Sequence, residues 1–377
     1  GLTAPPHLPQ LLPPQGTVSN PDSSGRTVEL NPLGFPQDCF NLPPTFNEDL
    51  STKPDCHLES AWKCQLGLTA LFPDLSLGLL PYPTQTLGPL QENWARAYGQ
   101  FYIYLQHLVD LELKKIFDSF DANGLAENTI VVFTSDHGEY AMAHGQMLQK
   151  WYTGYEETAR VPFVVSSPLI NPSNDELLEL NEPTSHIDLA PTLLGLAGVD
   201  QAGIAKIKTK LQGTHSLVRD FVGVNLAARL HGGAPTARPG VLFTTDDDVT
   251  NVSVGVANPE KQEQFDRFLD KVNQEIADGA PLTPGPVIQP SAVRMLATAE
   301  WKVARYVDST GVNPDQWELY HLISDPNEAN NLLDFRTGSL RTGAVVSGMS
   351  QEQLATAVTR LKADLLAQEQ KLLLAPS

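Results

Sequence analysis

The stretch that decides the fold is TIVVFTSDHGEYAMAHGQMLQKWYTGYEETARVPFVV, residues 129–165. It begins with a short apolar run, Ile130 to Phe133, whose β-branched and aromatic residues are typical of a strand buried on both faces of a parallel sheet. The run ends at Ser-Asp-His-Gly, residues 135–138, and a second apolar strand follows a polar loop at Val161 to Val165. We therefore expect an α/β fold with polar side chains at the carboxyl end of a strand, where open α/β sheets build ligand sites.

Two residues directly after the first strand, Asp136 and His137, are candidate ligands of a divalent cation. A carboxylate oxygen and a neutral imidazole nitrogen can converge on one ion from a single turn. The same residue types also form turns and cap helices, so a structural role is the alternative. Lys150, in the loop that follows, is a candidate contact for an anionic substrate, and its alternative is a solvated lysine.

Several segments of the chain resemble the sulfatase family, within the alkaline phosphatase-like superfamily. The segment TSDHGEYAMAHG at 134–145, followed by Lys150 and by YEETARVPFVV at 155–165, resembles the metal-binding motif of that family. Further segments resemble the family in the same order, namely LVDLELKKIFDSFDANGLAENTIVVF at 108–133, TSHIDLAPTLLGLAG at 184–198, WKVARYV at 301–307 and WELYHLISDPNEANNL at 317–332. The resemblance runs from about Trp94 to Leu333.

The resemblance implies a fold, an activity and a set of site residues. The fold is an alkaline phosphatase-like mixed sheet sandwiched by helices, of which this chain holds a part. The activity is hydrolysis of a small-molecule sulfate ester, with a divalent cation, usually calcium in this family, held by Asp136 and His137. Lys150 would contact the sulfate, and His144 would donate to the substrate or brace the loop. A phosphodiesterase or phosphonate monoester hydrolase of the same superfamily and a non-catalytic truncated relative are the alternatives.

The chain departs from the family at the nucleophile. Family members carry an upstream Cys-x-Pro-x-Arg or Ser-x-Pro-x-Arg motif, whose first residue becomes formylglycine, and two further metal-binding aspartates. None of Cys39, Cys56 and Cys64 has that context. We therefore expect the C-terminal portion of a longer polypeptide, inactive by itself. The three cysteines either include one disulfide or stay unpaired, and their number does not decide the compartment.

The composition narrows the classes of partner. The 377 residues carry a formal net charge of −19 and have a pI near 4.8, which argues against nucleic acid and anionic membranes as partners. No stretch approaches the roughly 20 apolar residues that span a bilayer. A small anionic substrate remains compatible, because a metal and one lysine can set the local field. Oligomeric state does not follow from the composition.

Three parts of the chain are predicted. Residues 1–90 hold half of the 30 prolines, which predicts an irregular segment without long helices that packs on the main domain, with Lys53 and His57 at its surface. Residues 91–280 are predicted to form the partial α/β domain, including a long helix from Glu92 to about Phe120 that Asn123-Gly124 ends. After a proline-rich linker at 281–290, residues 291–377 are predicted as a small α+β subdomain with a hairpin, a third strand and a closing helix at 351–374.

Overall fold

The computed structural model describes residues 16–19, 27–30, 40–71, 89–171, 177–246 and 259–373. The helices are α1 Asp55–Leu71, α2 Pro89–Ala122, α3 Ala143–Gln146, α4 Glu156–Ala159, α5 Leu189–Leu196, α6 Gln201–Gln212, α7 Ala227–Leu230, α8 Pro259–Ala277 and α9 Gln351–Leu372. The strands are β1 Gly16–Ser19, β2 Thr27–Leu30, β3 Val131–Thr134, β4 Phe163–Ser166, β5 Val241–Thr245, β6 Ala292–Ala297, β7 Trp301–Val307 and β8 Gln316–His321. In the part of the chain described here, no helix is both long and apolar enough to cross a bilayer.

Helix α2 precedes the stretch at residues 129–165 that decides the fold. It covers 34 residues, and proline is absent from its interior, so its backbone hydrogen bonds are uninterrupted. Gly124 follows it with a φ of 64°, a left-handed conformation that glycine adopts without steric cost. The predicted helix and its predicted end are therefore both confirmed.

Strand β3 pairs with β4, and the pairing differs from the prediction. The two strands are antiparallel, with Phe133 opposite Val164, and they form a two-stranded sheet. Phe133 is 42% and Val164 49% exposed, so neither strand is buried on both faces among the described residues. The prediction of a parallel, fully buried strand was wrong, because an unbroken apolar run reports only hydrophobicity and carries no information about the direction of the neighbouring strand.

The C-terminal part is a four-stranded antiparallel sheet in the order β5-β6-β7-β8. Helix α9 packs on it, and Leu296, Val303, Leu319 and Leu361 are among the side chains that fill the space between them. The predicted hairpin, third strand and closing helix are all present. Strand β5 lies before the proline-rich linker and still pairs with β6, so this sheet draws on residues from both sides of the predicted boundary. The division into three parts stays a prediction.

Helix α1 corrects the interpretation of the proline-rich segment. It runs for 17 residues between Pro54 and Pro73, a stretch without proline. It packs against α8, and Cys56, His57 and Ala61 on it are buried. The prediction of no long helix before residue 90 was wrong, because a proline count over the whole segment conceals a proline-free window long enough for nearly five helical turns.

Candidate functional site

The turn after β3 brings a carboxylate and an imidazole together. Asp136 Oδ1 accepts a hydrogen bond from the backbone N–H of His137 at 2.9 Å, and this bond is the main reason that the pKa of Asp136 lies below its usual value. Asp136 Oδ2 lies 3.3 Å from His137 Nε2. The two side chains therefore converge on one point at the carboxyl end of β3, as the sequence predicted.

The other ring nitrogen of His137 decides how the imidazole can act. His137 Nδ1 lies 2.9 Å from the carbonyl oxygen of Gly138. Because a carbonyl oxygen only accepts, Nδ1 carries the proton and donates in this contact. In the neutral ring Nε2 then carries the lone pair, which is the tautomer that binds a metal.

These two donors fit part of the coordination shell of a divalent cation. A carboxylate oxygen and an imidazole nitrogen 3.3 Å apart can both lie at bonding distance from one ion, and both are common ligands of divalent metals. Among the described residues, no cluster of three or more His, Cys, Asp or Glu side chains forms a candidate metal site. The described part of the chain thus offers two protein ligands at this point.

A cavity of about 950 Å³ opens beside the turn. Its walls include Asp136, His137, Lys150, Trp151 and Arg160. Lys150 therefore borders the same space as the two candidate ligands, although it follows Asp136 by 14 positions in the sequence. No carboxylate of the described residues forms a salt bridge with it, in contrast to the other charged groups in these walls.

The acidic side chains of the cavity walls are mostly neutralised by neighbouring cations. Glu156 lies 2.7 Å from Lys302, Glu182 pairs with Arg229, and Asp246 pairs with Arg294. Lys150 and Arg160 add positive groups to the same walls. Despite the acidic chain as a whole, the local charge suits a small anion.

The loop between the turn and Lys150 is buried and strained, where the sequence predicted a polar loop. Tyr140, Ala143 and Met147 in it are at most 2% exposed. Its backbone is left-handed at several residues other than glycine, namely Ala141, Met142, His144, Gln146 and Gln149. Each such residue costs on the order of 1 to 3 kcal/mol and persists only where the surroundings determine the conformation. Such strain is concentrated at functional sites.

His144 lies inside this loop and is fully buried. Its Nδ1 is 2.7 Å from Glu48 Oε2, and its Nε2 is 3.1 Å from Glu157 Oε2. Burial lowers the pKa of His144, but the hydrogen bonds to Glu157 and Glu48 outweigh it and raise the pKa to about 9. Both ring nitrogens are occupied and the ring is not part of the cavity wall. Contact with the substrate, one of its two predicted roles, does not fit this placement, whereas bracing the loop does.

Lys53 and His57 are buried, which corrects their predicted place at the surface. Lys53 lies 2.9 Å from Glu48 Oε1 and donates to the Tyr320 hydroxyl at 2.8 Å. His57 lies 3.1 Å from the Tyr155 hydroxyl, and burial is the main cause that lowers its pKa to about 4. Composition could not reveal this, because Tyr320 is 267 positions away from Lys53.

The described cysteines are both free thiols. Cys56 is buried and Cys64 is partly buried, while Cys39 lies outside the described residues. Burial raises the pKa of Cys56 well above its usual value, and it raises the pKa of Cys64 to about 11. Since the thiolate is the nucleophile, neither thiol is prepared for catalysis at neutral pH.

Comparison with known proteins finds a family match over the part of the chain that holds this turn. The sulfatase family model matches residues 52–199, a range that includes the turn, the strained loop and Lys150. An arylsulfatase of Chlamydomonas reinhardtii is 34% identical over 265 residues, which cover 67% of this chain and 35% of that protein. Arylsulfatase K of Bos taurus is 31% identical over 251 residues, which cover 67% of this chain and 36% of that protein. The chain thus matches about a third of the length of each relative.

Solved structures support the fold class. The structure of a 2-O GAG sulfatase superposes with a TM-score of 0.53 at 18% identity, covering 88% of this chain and 52% of that one. A second structure, from Bacteroides thetaiotaomicron, has a TM-score of 0.51 at 18% identity, with the same coverage. Likeness at this level of identity shows the fold, and it confirms the predicted alkaline phosphatase-like α/β class.

Proposed function

Because this chain belongs to the sulfatase family, we propose that it supplies the cation-binding and sulfate-binding groups of a site that hydrolyses a small-molecule sulfate ester. The observation that carries this proposal is the shared cavity. Asp136, His137 and Lys150 all line it, although a strained, buried loop separates the lysine from the other two. A carboxylate, an imidazole and a lysine that forms no salt bridge with a described residue thus border one space, which supports the proposal.

Each of the three residues has a defined task in this proposal. Asp136 Oδ2 and His137 Nε2 hold a divalent cation, calcium in our proposal. When bound, the cation would polarise a sulfate oxygen as a Lewis acid. The Nδ1–H of His137 stays on the Gly138 carbonyl and keeps the ring oriented. Lys150 offsets negative charge that develops on the sulfate oxygens during transfer, and no carboxylate in the described ranges holds it in a salt bridge.

The tryptophan next to Lys150 offers a direct test of binding. Trp151 lines the cavity and is 47% exposed, so its indole N–H signal in an NMR spectrum reports on molecules that enter. We expect 4-nitrophenyl sulfate, added with calcium, to shift this signal in the wild-type chain. We expect the shift to be lost in Lys150→Met and to require more ligand in Asp136→Asn, since each variant removes one of the groups that hold the anion or its cation.

A matched lysine provides the control. Lys115 lies on the exposed surface of α2, paired with Glu112, so Lys115→Met removes the same charge far from the cavity wall. It should leave the titration unchanged. An equal response of Lys150→Met and wild type would contradict the proposed role of Lys150. Stronger binding of 4-nitrophenyl phosphate than of the sulfate would replace sulfate-ester hydrolysis by the phosphoester alternative.

A further inference from the structure

Helix α4 contacts the turn at residues 135–138, called the candidate metal turn below because it carries Asp136 and His137. The backbone N–H of Gly138 donates to the carbonyl oxygen of Thr158 at 3.0 Å. A Cβ atom at Gly138 would overlap with the carbonyl oxygen of Glu157, so the turn and the helix are in direct backbone contact. The position of Asp136 and His137 therefore depends on where α4 lies.

Helix α4 cannot hold that position by itself. It has four residues, of which only Thr158 is buried. A single helical turn is unstable in isolation, because nucleation fixes several backbone dihedrals for few hydrogen bonds. Tertiary contacts must therefore fix the helix.

Its first residue, Glu156, is held at both the side chain and the backbone. Lys302 Nζ, on β7, lies 2.7 Å from Glu156 Oε1 and 2.8 Å from Glu328 Oε1. These are close ion pairs that are not aligned as hydrogen bonds, since neither Lys302 Nζ nor Glu328 Oε1 has a hydrogen-bond partner among the residues that the structure describes. The other oxygen, Glu328 Oε2, accepts from the backbone N–H of Glu156 at 2.7 Å. One lysine and one glutamate from the C-terminal part thus bind the start of α4 at two points.

Two features of this pair are costly for the fold. Lys302 is 2% and Glu328 0% exposed, and burying such charges carries a large desolvation penalty. Glu328 also has a φ of 50°, a left-handed conformation that is unfavourable for a residue with a side chain. Costly conformations of this kind persist where the surrounding structure requires them, and they are concentrated at sites.

We propose that Lys302 and Glu328 are positioning residues of the candidate active site, which fix α4 and, through its Thr158 carbonyl, the turn that carries Asp136 and His137. Neither residue lines the cavity, so neither touches the substrate. The effect of the pair passes through three steps. Lys302 and Glu328 hold Glu156, one turn of helix leads from Glu156 to Thr158, and the Thr158 carbonyl holds Gly138. Only the significance of the turn rests on the proposed function, whereas the mechanical link is independent of it.

Amide hydrogen exchange at Gly138 tests the link without any metal. In Lys302→Met we expect the Gly138 amide to exchange roughly tenfold faster than in wild type, the change expected when a hydrogen bond of typical strength is lost. In Glu328→Gln we expect a smaller increase in the exchange rate of the same amide. Exchange at Leu361, a buried residue of α9, serves as the internal reference for global stability. Lys362→Met is the matched control, since Lys362 also belongs to the C-terminal part and contacts Gly338 and Trp317.

The outcomes separate a positioning role from a merely structural one. Faster exchange at Gly138 with unchanged exchange at Leu361 supports the proposal, and unchanged exchange at Gly138 in both variants overturns it. A parallel rise at both amides shows global destabilisation and also contradicts a positioning role. Should Lys302→Met fail to fold, Glu328→Gln decides, because it keeps the shape of the side chain and its acceptor for the Glu156 N–H.

A titration with Mn²⁺ tests the consequence for the turn. We expect Mn²⁺ to broaden the ring signals of His137, and we expect the two variants to need severalfold more Mn²⁺ for the same broadening. Absence of broadening in wild type would count against the proposed function while the exchange result at Gly138 still stands. Equal broadening in wild type and variants, with faster exchange at Gly138, would show that the link does not position the ligands and would overturn the inference.

Discussion

The imidazole of His144 lies flat on the ring of Tyr155, with ring centroids 3.7 Å apart and planes 7° from parallel. Glu48 and Glu157 hold the two nitrogens of the same imidazole. An aromatic face attracts a cation and the two carboxylates attract it more strongly, so all three neighbours favour the protonated ring. A positively charged histidine therefore joins the strained loop to Glu48 and to Glu157 on helix α4.

Stability should fall as the pH rises through the pKa of His144. The pKa of this residue is about 9 in the folded chain, where its two carboxylate contacts outweigh burial, against an ordinary value of 6.5. The stabilising contribution is therefore fully present below about pH 6.5 and is lost as the pH rises through about 9. This shift corresponds to an effect on the order of 3 kcal/mol. Urea unfolding of wild type and His144→Gln at about pH 6 and about pH 10 measures it.

A second histidine variant isolates this effect. His215 is exposed and its contacts are local, to Thr214 and Leu211, so His215→Gln serves as the control for removing an imidazole. The stability gap between wild type and His144→Gln should narrow at high pH, while the gap for His215→Gln should not. A gap for His144→Gln that stays constant across the range would show that the ring is not held in its charged form.

Gly138→Ala should destabilise the chain and displace the candidate metal turn. The added Cβ would overlap with the backbone oxygen of Glu157, and backbone cannot move aside as a flexible side chain can. We expect a loss of about 1 to 3 kcal/mol, the range typical of overpacking. Thermal unfolding measures it. Gly67→Ala is the control, because its Cβ would meet only Phe268 at an ordinary 3.8 Å and alanine should stabilise helix α1 by about 0.5 to 1 kcal/mol.

Lys53→Met should be far more damaging than the same change at a surface lysine. The side chain of Lys53 is 0% exposed and its partner Glu48 is 7% exposed, so removing the lysine leaves a buried carboxylate with less compensation. Breaking a buried pair in this way costs about 3 to 5 kcal/mol. Lys114, paired with Asp118 on α2 and 69% exposed, should cost less than about 1 kcal/mol when replaced. Similar urea midpoints for the two variants would contradict the buried pair.

The chain as given should not turn over an aryl sulfate, even with calcium. The resemblance to sulfatases implies a covalent formylglycine nucleophile, and none of Cys39, Cys56 and Cys64 lies in the motif from which it forms. The raised pKa values of Cys56 and Cys64 also leave neither as a thiolate at neutral pH. Release of 4-nitrophenol from 4-nitrophenyl sulfate checks this, with Asp136→Ala as the control for the site. Turnover that survives in a Cys39→Ser, Cys56→Ser, Cys64→Ser triple variant would point to a nucleophile of another residue type.

Local sequence patterns determined the parts of this protein that depend on near neighbours in the chain. Helix periodicity and the Asn123-Gly124 stop predicted α2, and the segments directly after the proline-rich linker were predicted as the hairpin that β6 and β7 form. The change from an apolar run to Ser-Asp-His-Gly predicted that Asp136 and His137 would converge at the end of β3. These predictions succeeded because hydrogen bonds within a helix or a hairpin join residues close in sequence.

Tertiary structure alone decided which charged residues are buried and what they hold. The backbone N–H of Glu156 donates to the carboxylate of Glu328, 172 positions away. The ammonium of Lys53 donates to the backbone carbonyl of Glu328, 275 positions away. A lysine in a proline-rich segment looks like a surface residue until the hydroxyl of Tyr320 on β8 and the backbone carbonyl of Glu328 are found to accept its hydrogen bonds. The physical reason is that burying a charge is favourable only with its partner in place, and the identity of that partner is set by how the sheet and the helices pack.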